Sequence, residues 1–315
     1  MKNRKLERTA PFITSNESVR TLMCDALMAL LPALAWALYS FGMRVLTVVA
    51  VSVGVALVSD LIMSLIVRRR LGVTDLSFAV TGLIYAFTLP YEVHLHIVAA
   101  GSAFAIIVAK GLFGGLGKNI FNPAVCGRVL VEFIFNSGIF YANELNTKAL
   151  TDGFKVLNTL NAGEIPSMHL VDMFMGDMSG AMGEISTLLL LAGGVYLILR
   201  GTVDWRIPTA FVAAAAATAY LMCPHYDKFS WVLGQLFTGA LALAALFLAT
   251  DPTTSPITPS GKLLYGAVGG ALCIIFRIYL PIWDGVFVAI LAANALARPI
   301  DLLFLPRAKR VKSNE

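Results

Sequence analysis

The segment most suggestive of chemistry is a stretch rich in glycine and asparagine at residues 114–126, Gly-Gly-Leu-Gly-Lys-Asn-Ile-Phe-Asn-Pro-Ala-Val-Cys. It is not a nucleotide-binding phosphate loop, which needs Gly-Lys-Ser/Thr, because Asn119 follows Lys118. The stretch offers backbone N–H groups, a lysine and the amides of Asn119 and Asn122 beside a helix start. Such a start can bind an anion or the polar edge of a heterocycle. The alternative is a tight turn that merely needs small residues.

Ionisable side chains inside apolar segments are costly and mark candidate functional positions. Asp25 and Asp60 are predicted to lie in adjacent membrane spans, where they could face a shared path for ions. The alternative is that each pairs with another charge, or lies near a membrane surface, for structural reasons. The full set is Asp25, Asp60, Lys110, Arg128, Glu132 and Arg277.

No catalytic or metal-binding constellation is evident in the sequence. The histidines are dispersed at predicted outer positions, and the cysteines are scattered without metal-type spacing. These residues are His94, His96, His169 and His225, and Cys24, Cys126, Cys223 and Cys273. We therefore expect no complete active site in this chain alone.

Composition decides which elements must position these residues. Of 315 residues, 14% are charged and 58% are hydrophobic, and the mean hydropathy is +0.78. Soluble domains carry about a quarter charged residues and could not cover this much apolar surface. The pattern excludes a soluble enzyme, and the net charge of +5 lacks the aromatic-basic face that nucleic-acid binding would need.

The apolar runs predict an all-α integral membrane protein with about ten transmembrane helices. The third and sixth are short, so we expect them to be partly buried or broken. The predicted spans are 21–41, 45–67, 77–90, 95–113, 121–140, 184–199, 207–223, 231–249, 263–280 and 283–298.

The distribution of Lys and Arg predicts that both termini are cytoplasmic. The inner segments carry most of the basic residues, and the outer segments carry four, as the positive-inside rule requires. No cleavable signal is expected at the N-terminus. The outer basic residues are Arg44, Lys148, Lys155 and Lys228.

A faint internal repeat organises the chain. The run from Thr81-Gly82 to Pro90 resembles the run from Thr238-Gly239 to Pro252, and Asn122 and Arg128 have counterparts in Asn294 and Arg298. An inverted five-plus-five repeat would place a binding site between its halves; chance similarity of apolar segments is the alternative. The predicted divisions are a leader at 1–20, repeats at 21–140 and 184–300, an outer loop at 141–183 and a tail at 301–315.

Three ordered motifs resemble those of the NqrB/RnfD family. They are the run from Gly114 to Arg128, the run Gly183-Glu-Ile-Ser-Thr187 with the apolar segment after it, and Asp251-Pro-Thr-Thr-Ser-Pro256. The resemblance implies a flavin-carrying subunit of an Rnf-type complex in a bacterial or archaeal cell membrane. Such complexes couple electron transfer between ferredoxin and NAD to sodium or proton movement.

The resemblance also implies where flavin binds. Lys118, Asn119, Asn122 and Arg128 would line a pocket near the inner side, with Asp251 and Thr254 closing the repeat-related position. The cofactor would be FMN, and riboflavin is possible as well. The protein would set the position and potential of the cofactor.

This chain departs from the family at the motif that tethers FMN covalently. The expected Ser/Thr-Gly-Ala-Thr falls on Asp152-Gly-Phe-Lys155, so the acceptor threonine is replaced by a lysine. We expect FMN to be held without a covalent bond, with Lys155 pairing the phosphate. Thr151 is the fallback acceptor.

The resemblance implies partners as well. They are other membrane subunits of an Rnf-type complex, including a flavin-bearing subunit that meets the loop at 141–183 on the outer side. Two alternatives stay open from the residues alone. One is a cofactor-free secondary transporter or channel, and the other is a passive assembly subunit.

Overall fold

The computed structural model describes residues 18–67, 75–115, 117–135, 169–176, 181–183, 186–224, 227–280 and 285–305, with a few single residues from 156 to 164. These residues are helical, and no strand occurs among them. The helices are α1 Val19–Phe41, α2 Arg44–Ile66, α3 Ser77–Phe87, α4 Leu95–Phe104 continued by a π-helix Ala105–Leu112, α5 Pro123–Phe135, α6 Leu170–Met175, α7 Thr187–Leu199, α8 Arg206–Met222, α9 Lys228–Phe237, α10 Leu241–Leu243 continued by a π-helix Ala244–Leu248, α11 Pro259–Tyr279 and α12 Gly285–Phe304.

The described residues contain five helices long and apolar enough to cross a membrane. They are α1, α2, α4 with its π continuation, α11 and α12, and a sixth candidate span is the pair α9 and α10, bent by 66°. Three shorter apolar helices, α3, α7 and α8, accompany them. The fold is therefore an all-α integral membrane protein with five or six candidate spans by length and composition.

Several sequence expectations are refined by these helices. The third and sixth predicted segments do form short helices, of 11 and 13 residues. The sharp bend, however, lies in the eighth predicted segment, 231–249, and the last helix runs to Phe304, past the boundary predicted at residue 300. Most of the outer loop 141–183 and nearly all of the leader lie outside the described residues.

Local sequence explains where key helices begin. Ser18 caps α1 by accepting a hydrogen bond from the Thr21 amide at 3.2 Å, and Thr258 caps α11 in the same way, just before Pro259. Asn122 precedes Pro123 and accepts hydrogen bonds from the first amides of α5. A polar cap followed by proline satisfies helix-start amides and fixes the first turn.

Small residues set the closest helix contacts, as is usual in membranes. Gly266 and Gly270 let α11 lie directly on the backbone of α8, because a Cβ on Gly266 would come within 2.5 Å of the Ile207 carbonyl oxygen. Gly127 of α5 packs against the Gly101 carbonyl of α4 in the same manner, at 2.6 Å.

The bend between α9 and α10 has a buried cation at its centre. Arg277 of α11 donates to the carbonyl oxygens of Gln235 at 2.6 Å and Thr238 at 3.1 Å. A broken helix leaves carbonyl groups without partners, and inside a bilayer no water can satisfy them. Arg277, one of the six ionisable candidates, thus stabilises the break.

Candidate functional site

A pocket with a cavity volume of about 100 Å³ opens at one end of the bundle, between the two halves of the chain. The first half contributes the start of α1, the start of α3, the end of the π-helix after α4 and the loop before α5. The second half contributes the end of α7 with the turn after it, the π-helix after α10 and the turn at 250–253. Both π-helices reach its wall, and such segments are frequent at functional sites.

The pocket combines apolar walls with polar edges. Its apolar surface includes Ile84, Leu197 and Phe247, and its polar groups include Thr81 and Thr250. A mixture of apolar walls with a few polar groups is typical of sites for small organic ligands. The segments that form it are those the basic-residue pattern assigns to the inner side.

Asn119 and Asn122 both line the pocket but differ in how their side chains are used. Asn119 is 3% exposed, and its Oδ1 atom has no hydrogen-bond partner among the described residues. A buried acceptor left unpaired costs about 1–3 kcal/mol, so it indicates a missing donor. Asn119 is therefore the residue best placed to recognise a ligand.

Asn122 instead holds the halves together. Its backbone N–H donates to Asn294 Oδ1 at 3.0 Å, and its Nδ2 donates to the Leu248 carbonyl at 3.3 Å. Asn294 Nδ2 in turn donates to the Tyr265 hydroxyl at 2.8 Å. This network joins the start of α5 to α10, α11 and α12.

Asp251 contributes a half-buried carboxylate to the pocket wall. Its Oδ1 accepts from the backbone N–H of Thr253 at 3.0 Å and from the Thr253 hydroxyl at 2.9 Å. These contacts close the turn that begins at Asp251. One oxygen of the Asp251 carboxylate is therefore already hydrogen-bonded within the turn.

Lys110 is the cation of the pocket wall, and it is paired. Its Nζ donates to Asp60 Oδ1 at 2.9 Å and to Ser77 Oγ at 2.7 Å, with the lysine side chain 5% exposed. The residue lies in the π-helix after α4, facing α2 and the start of α3. A buried ion pair of this kind balances its charge locally.

Asp25 has a different set of partners. Arg200 donates to both of its oxygens, at 3.2 and 3.3 Å, and the hydroxyls of Tyr196 and Thr202 add two more hydrogen bonds. Asp25 and Asp60 thus each pair with a cation of another helix or turn. The contact also brings the start of α1 beside the end of α7, so these two helices run antiparallel.

The remaining predicted site residues lie elsewhere. Lys118 is exposed and is not part of the lining, and Thr254 is buried behind the turn. Arg128 is 2% exposed within the bundle, 3.5 Å from Glu132 and over the ring of Phe287, and is also not among the lining residues. Thr151 and Lys155 lie outside the described residues.

Sequence reasoning missed two residues that the structure brings to Lys110. Ser77 accepts from the lysine, and Asp75 Oδ1 accepts from the Ser77 hydroxyl at 2.6 Å and the Ser77 amide at 3.0 Å. An aspartate two residues before a serine at a predicted helix start was the available signal, because such pairs form helix-start turns.

Fold and site together define a multi-pass membrane protein with a partly apolar pocket between its halves. A profile of the NQR2, RnfD, RnfE family matches residues 6–310. The chain therefore belongs to this family, and its apolar helices and relatives place it as a multi-pass protein of the bacterial inner membrane.

Relatives across the family are similar over most of the chain. The D-type subunit of the Na(+)-translocating ferredoxin:NAD(+) oxidoreductase complex of Acetobacterium woodii is 36% identical over 93% of this chain and 91% of its own length. The D-type subunit of the proton-translocating complex of Clostridium ljungdahlii is 31% identical over 95% and 94%. The B-type subunit of the Na(+)-translocating NADH-quinone reductase of Pseudomonas aeruginosa is 34% identical over 71% and 58%.

Proposed function

We propose that this chain is the flavin-carrying membrane subunit of an Rnf-type complex, which couples electron transfer between ferredoxin and NAD to the translocation of sodium or protons. Its similarity to the D-type subunits of such complexes in two bacteria supports the assignment. The observation that carries the flavin assignment is the buried, unpaired acceptor of Asn119 in a pocket between the halves.

The residues of the pocket fit a flavin ring system. The ring is flat and apolar on its faces, and it carries an N–H donor and carbonyl acceptors on one edge. Apolar side chains such as Ile84 and Phe247 could cover its faces, while Asn119 Oδ1 accepts from its N–H group. Bound there, a flavin would supply electron transfer, and the protein would set its position and solvent access.

Charge favours a flavin without a phosphate in this pocket. The charged residues of its described lining are Lys110 and Asp251, and Lys110 is already paired with Asp60. A dianionic phosphate would need an uncommitted cation or helix start. Riboflavin therefore suits the pocket better than FMN, which we place at the outer loop with Lys155 as phosphate partner and Thr151 as fallback acceptor.

We propose the full architecture to be an inverted five-plus-five repeat of ten helices with both termini in the cytoplasm. Equivalent pairs pack in both halves: α2 packs on α4 as α8 packs on α11, and α4 packs on α5 as α11 packs on α12. A buried cation near the end of the fourth helix contacts the third span in each half, Lys110 in the first and Arg277 in the second.

The chain's own residues would divide the work. Asn119 orients the ligand, and the Asn122–Asn294 contact fixes the pocket by joining the halves. The Asp25–Arg200 pair ties α1 to α7 across the same end of the bundle. The partners would be other membrane subunits, and a flavin-bearing subunit would meet the loop at 141–183 from outside.

Inverted membrane vesicles from the source bacterium test the assignment. Deleting this chain should abolish ferredoxin-dependent NAD reduction and the accompanying sodium or proton uptake, and re-expression should restore both. Retention of both activities without the chain would exclude the proposal. Ion movement that persists without electron transfer would instead support a cofactor-free transporter, and a restored complex lacking flavin in this chain would support a passive assembly subunit.

A further inference from the structure

A continuous chain of hydrogen bonds links the pocket wall to the loop before α3. Lys110 Nζ donates to Ser77 Oγ at 2.7 Å, and Ser77 Oγ donates to Asp75 Oδ1 at 2.6 Å. Lys110 and Ser77 are buried, whereas Asp75 is half-buried beside the predicted inner loop. The three groups lie at hydrogen-bond distance from one another in sequence. Transfer toward the pocket requires the Ser77 hydroxyl to turn from Asp75 to Lys110 once the lysine has lost a proton.

Asp60 contacts Lys110, at the pocket end of this series of hydrogen bonds. Its Oδ1 accepts from Lys110 Nζ at 2.9 Å, and its Oδ2 is buried without a hydrogen-bond partner among the described residues. A purely structural ion pair would be expected to satisfy both carboxylate oxygens. Asp60 therefore keeps a negative charge beside Lys110 and has one carboxylate oxygen able to accept a further hydrogen bond.

The backbone near Lys110 and near Asp75 holds this series of hydrogen bonds in place. Lys110 lies in a π-helix, and Leu76, between Asp75 and Ser77, has φ of 60°, the left-handed region that leucine rarely adopts. Such a conformation is strained and persists where the surroundings hold it. Here it accompanies a turn in which Asp75 Oδ1 accepts both the hydroxyl and the amide of Ser77.

We propose that Asp75, Ser77 and Lys110 form a proton relay that supplies the pocket from the inner side of the membrane, with Asp60 as a positioning residue. A Lys110 Nζ–H bond breaks as the proton passes to a base in the pocket. The neutral amine then takes the Ser77 hydroxyl proton, and Ser77 takes one from the Asp75 carboxylic acid, which has taken it from water. One proton is moved from water to the pocket, and no electron moves in these steps.

The inference rests on the proposed function in one respect, because the base is taken to be a reduced flavin. The test uses the full-length chain in detergent, loaded with riboflavin and reduced by a potential step at an electrode. Flavin absorbance reports reduction, and a pH-indicator dye in weakly buffered solution reports proton uptake. The variants are Ser77→Ala, Ser77→Thr and the double variant Lys110→Met with Asp60→Asn, which removes both charges together and so avoids leaving one buried charge unpaired.

In the native chain, proton uptake should follow flavin reduction without delay. In Ser77→Ala and in the double variant it should lag by about a hundredfold if the relay acts as a general acid, with the lag measured only on the chains that hold riboflavin. Ser77→Thr keeps the hydroxyl and should restore the native rate. If proton uptake still coincides with flavin reduction in Ser77→Ala and in the double variant, the relay is overturned. Failure of the native chain to bind riboflavin would instead overturn the proposed function.

Discussion

At the scale of single residues, two asparagines three positions apart differ in role because their surroundings differ. Asn122 uses its side chain and backbone for contacts to Leu248, Asn294 and the start of α5. Asn119 keeps a buried acceptor unpaired inside the pocket. The first is therefore a structural bridge, and we propose that the second recognises the ligand.

Replacing Asn119 with alanine should weaken riboflavin binding without harming the fold. Losing one neutral hydrogen bond is worth about 1 kcal/mol, or about fivefold in Kd. Isothermal titration of the purified chain measures the change. The matched variant Asn122→Ala should lower the yield of folded chain instead, and equal Kd values for the native chain and Asn119→Ala would contradict the assigned role.

The sequence predicted the types of the site residues better than their grouping. Asn119, Asn122 and Asp251 were expected to share one site, and they line one pocket although a long stretch of chain separates Asp251 from the two asparagines. Lys118 and Arg128 were expected beside them but point elsewhere, because neighbours along a turn or helix face different directions. The partners of Asp25 and Asp60 depend on how helices pack, which no local pattern encodes.

At the scale of elements, helix–helix contact depends on glycines that allow backbones to touch. A Cβ on Gly270 would overlap the carbonyl oxygen of Phe211, so α11 could not keep its distance from α8. Apolar periodicity predicted the helices themselves, since spans need about 20 apolar residues. It did not predict the 66° bend, which depends on Arg277 reaching in from another helix.

Gly270→Ala should destabilise the chain by about 1–3 kcal/mol, the usual cost of overpacking. The expected result is a lower thermal unfolding temperature and a smaller monodisperse fraction in detergent. Gly54→Ala is the matched control, because a Cβ there meets nothing within 4 Å and the position is exposed on α2. An equal fall in unfolding temperature in Gly270→Ala and Gly54→Ala would contradict the role of close helix contact at Gly270.

The turn between α7 and α8 provides a prediction of pH dependence. Burial alone would raise the pKa of Asp204, but hydrogen bonds from Lys262, at 2.9 Å, and from Arg206 outweigh it and lower that pKa. A lowered pKa in the folded chain gives stability that is present above the ordinary value of 3.8 and is lost as the pH falls below it. Asp204→Asn should flatten the acid-side fall in unfolding temperature; an unchanged slope would contradict this.

At the scale of the whole molecule, the antiparallel contact of α1 with α7 and the matching helix pairs agree with two inverted halves. The pocket then lies at the junction of the halves, where inverted-repeat membrane proteins place their sites. The basic residues along the sequence already predicted which end of the bundle faces the cytoplasm. The repeat and the family resemblance predicted a site between the halves, but not its full lining, since that lining comes from segments across the whole chain.

Reporter fusions test this orientation. A green fluorescent protein fused after residue 315 should fluoresce, and alkaline phosphatase at the same position should be inactive, because both ends are proposed to be cytoplasmic. Alkaline phosphatase inserted within 141–183 should be active. Phosphatase activity at the C-terminus would show that the number of crossings is odd.

The flavin content of the purified chain tests the central claim most directly. Acid denaturation followed by chromatography of the extract, with in-gel fluorescence of the protein band, separates released from attached flavin. We predict riboflavin and FMN in the acid extract, each at about one equivalent per chain, with riboflavin but not FMN reduced in Asn119→Ala under the same washing. A native chain that carries no flavin, either free or attached, even when isolated within its intact complex, would contradict the account.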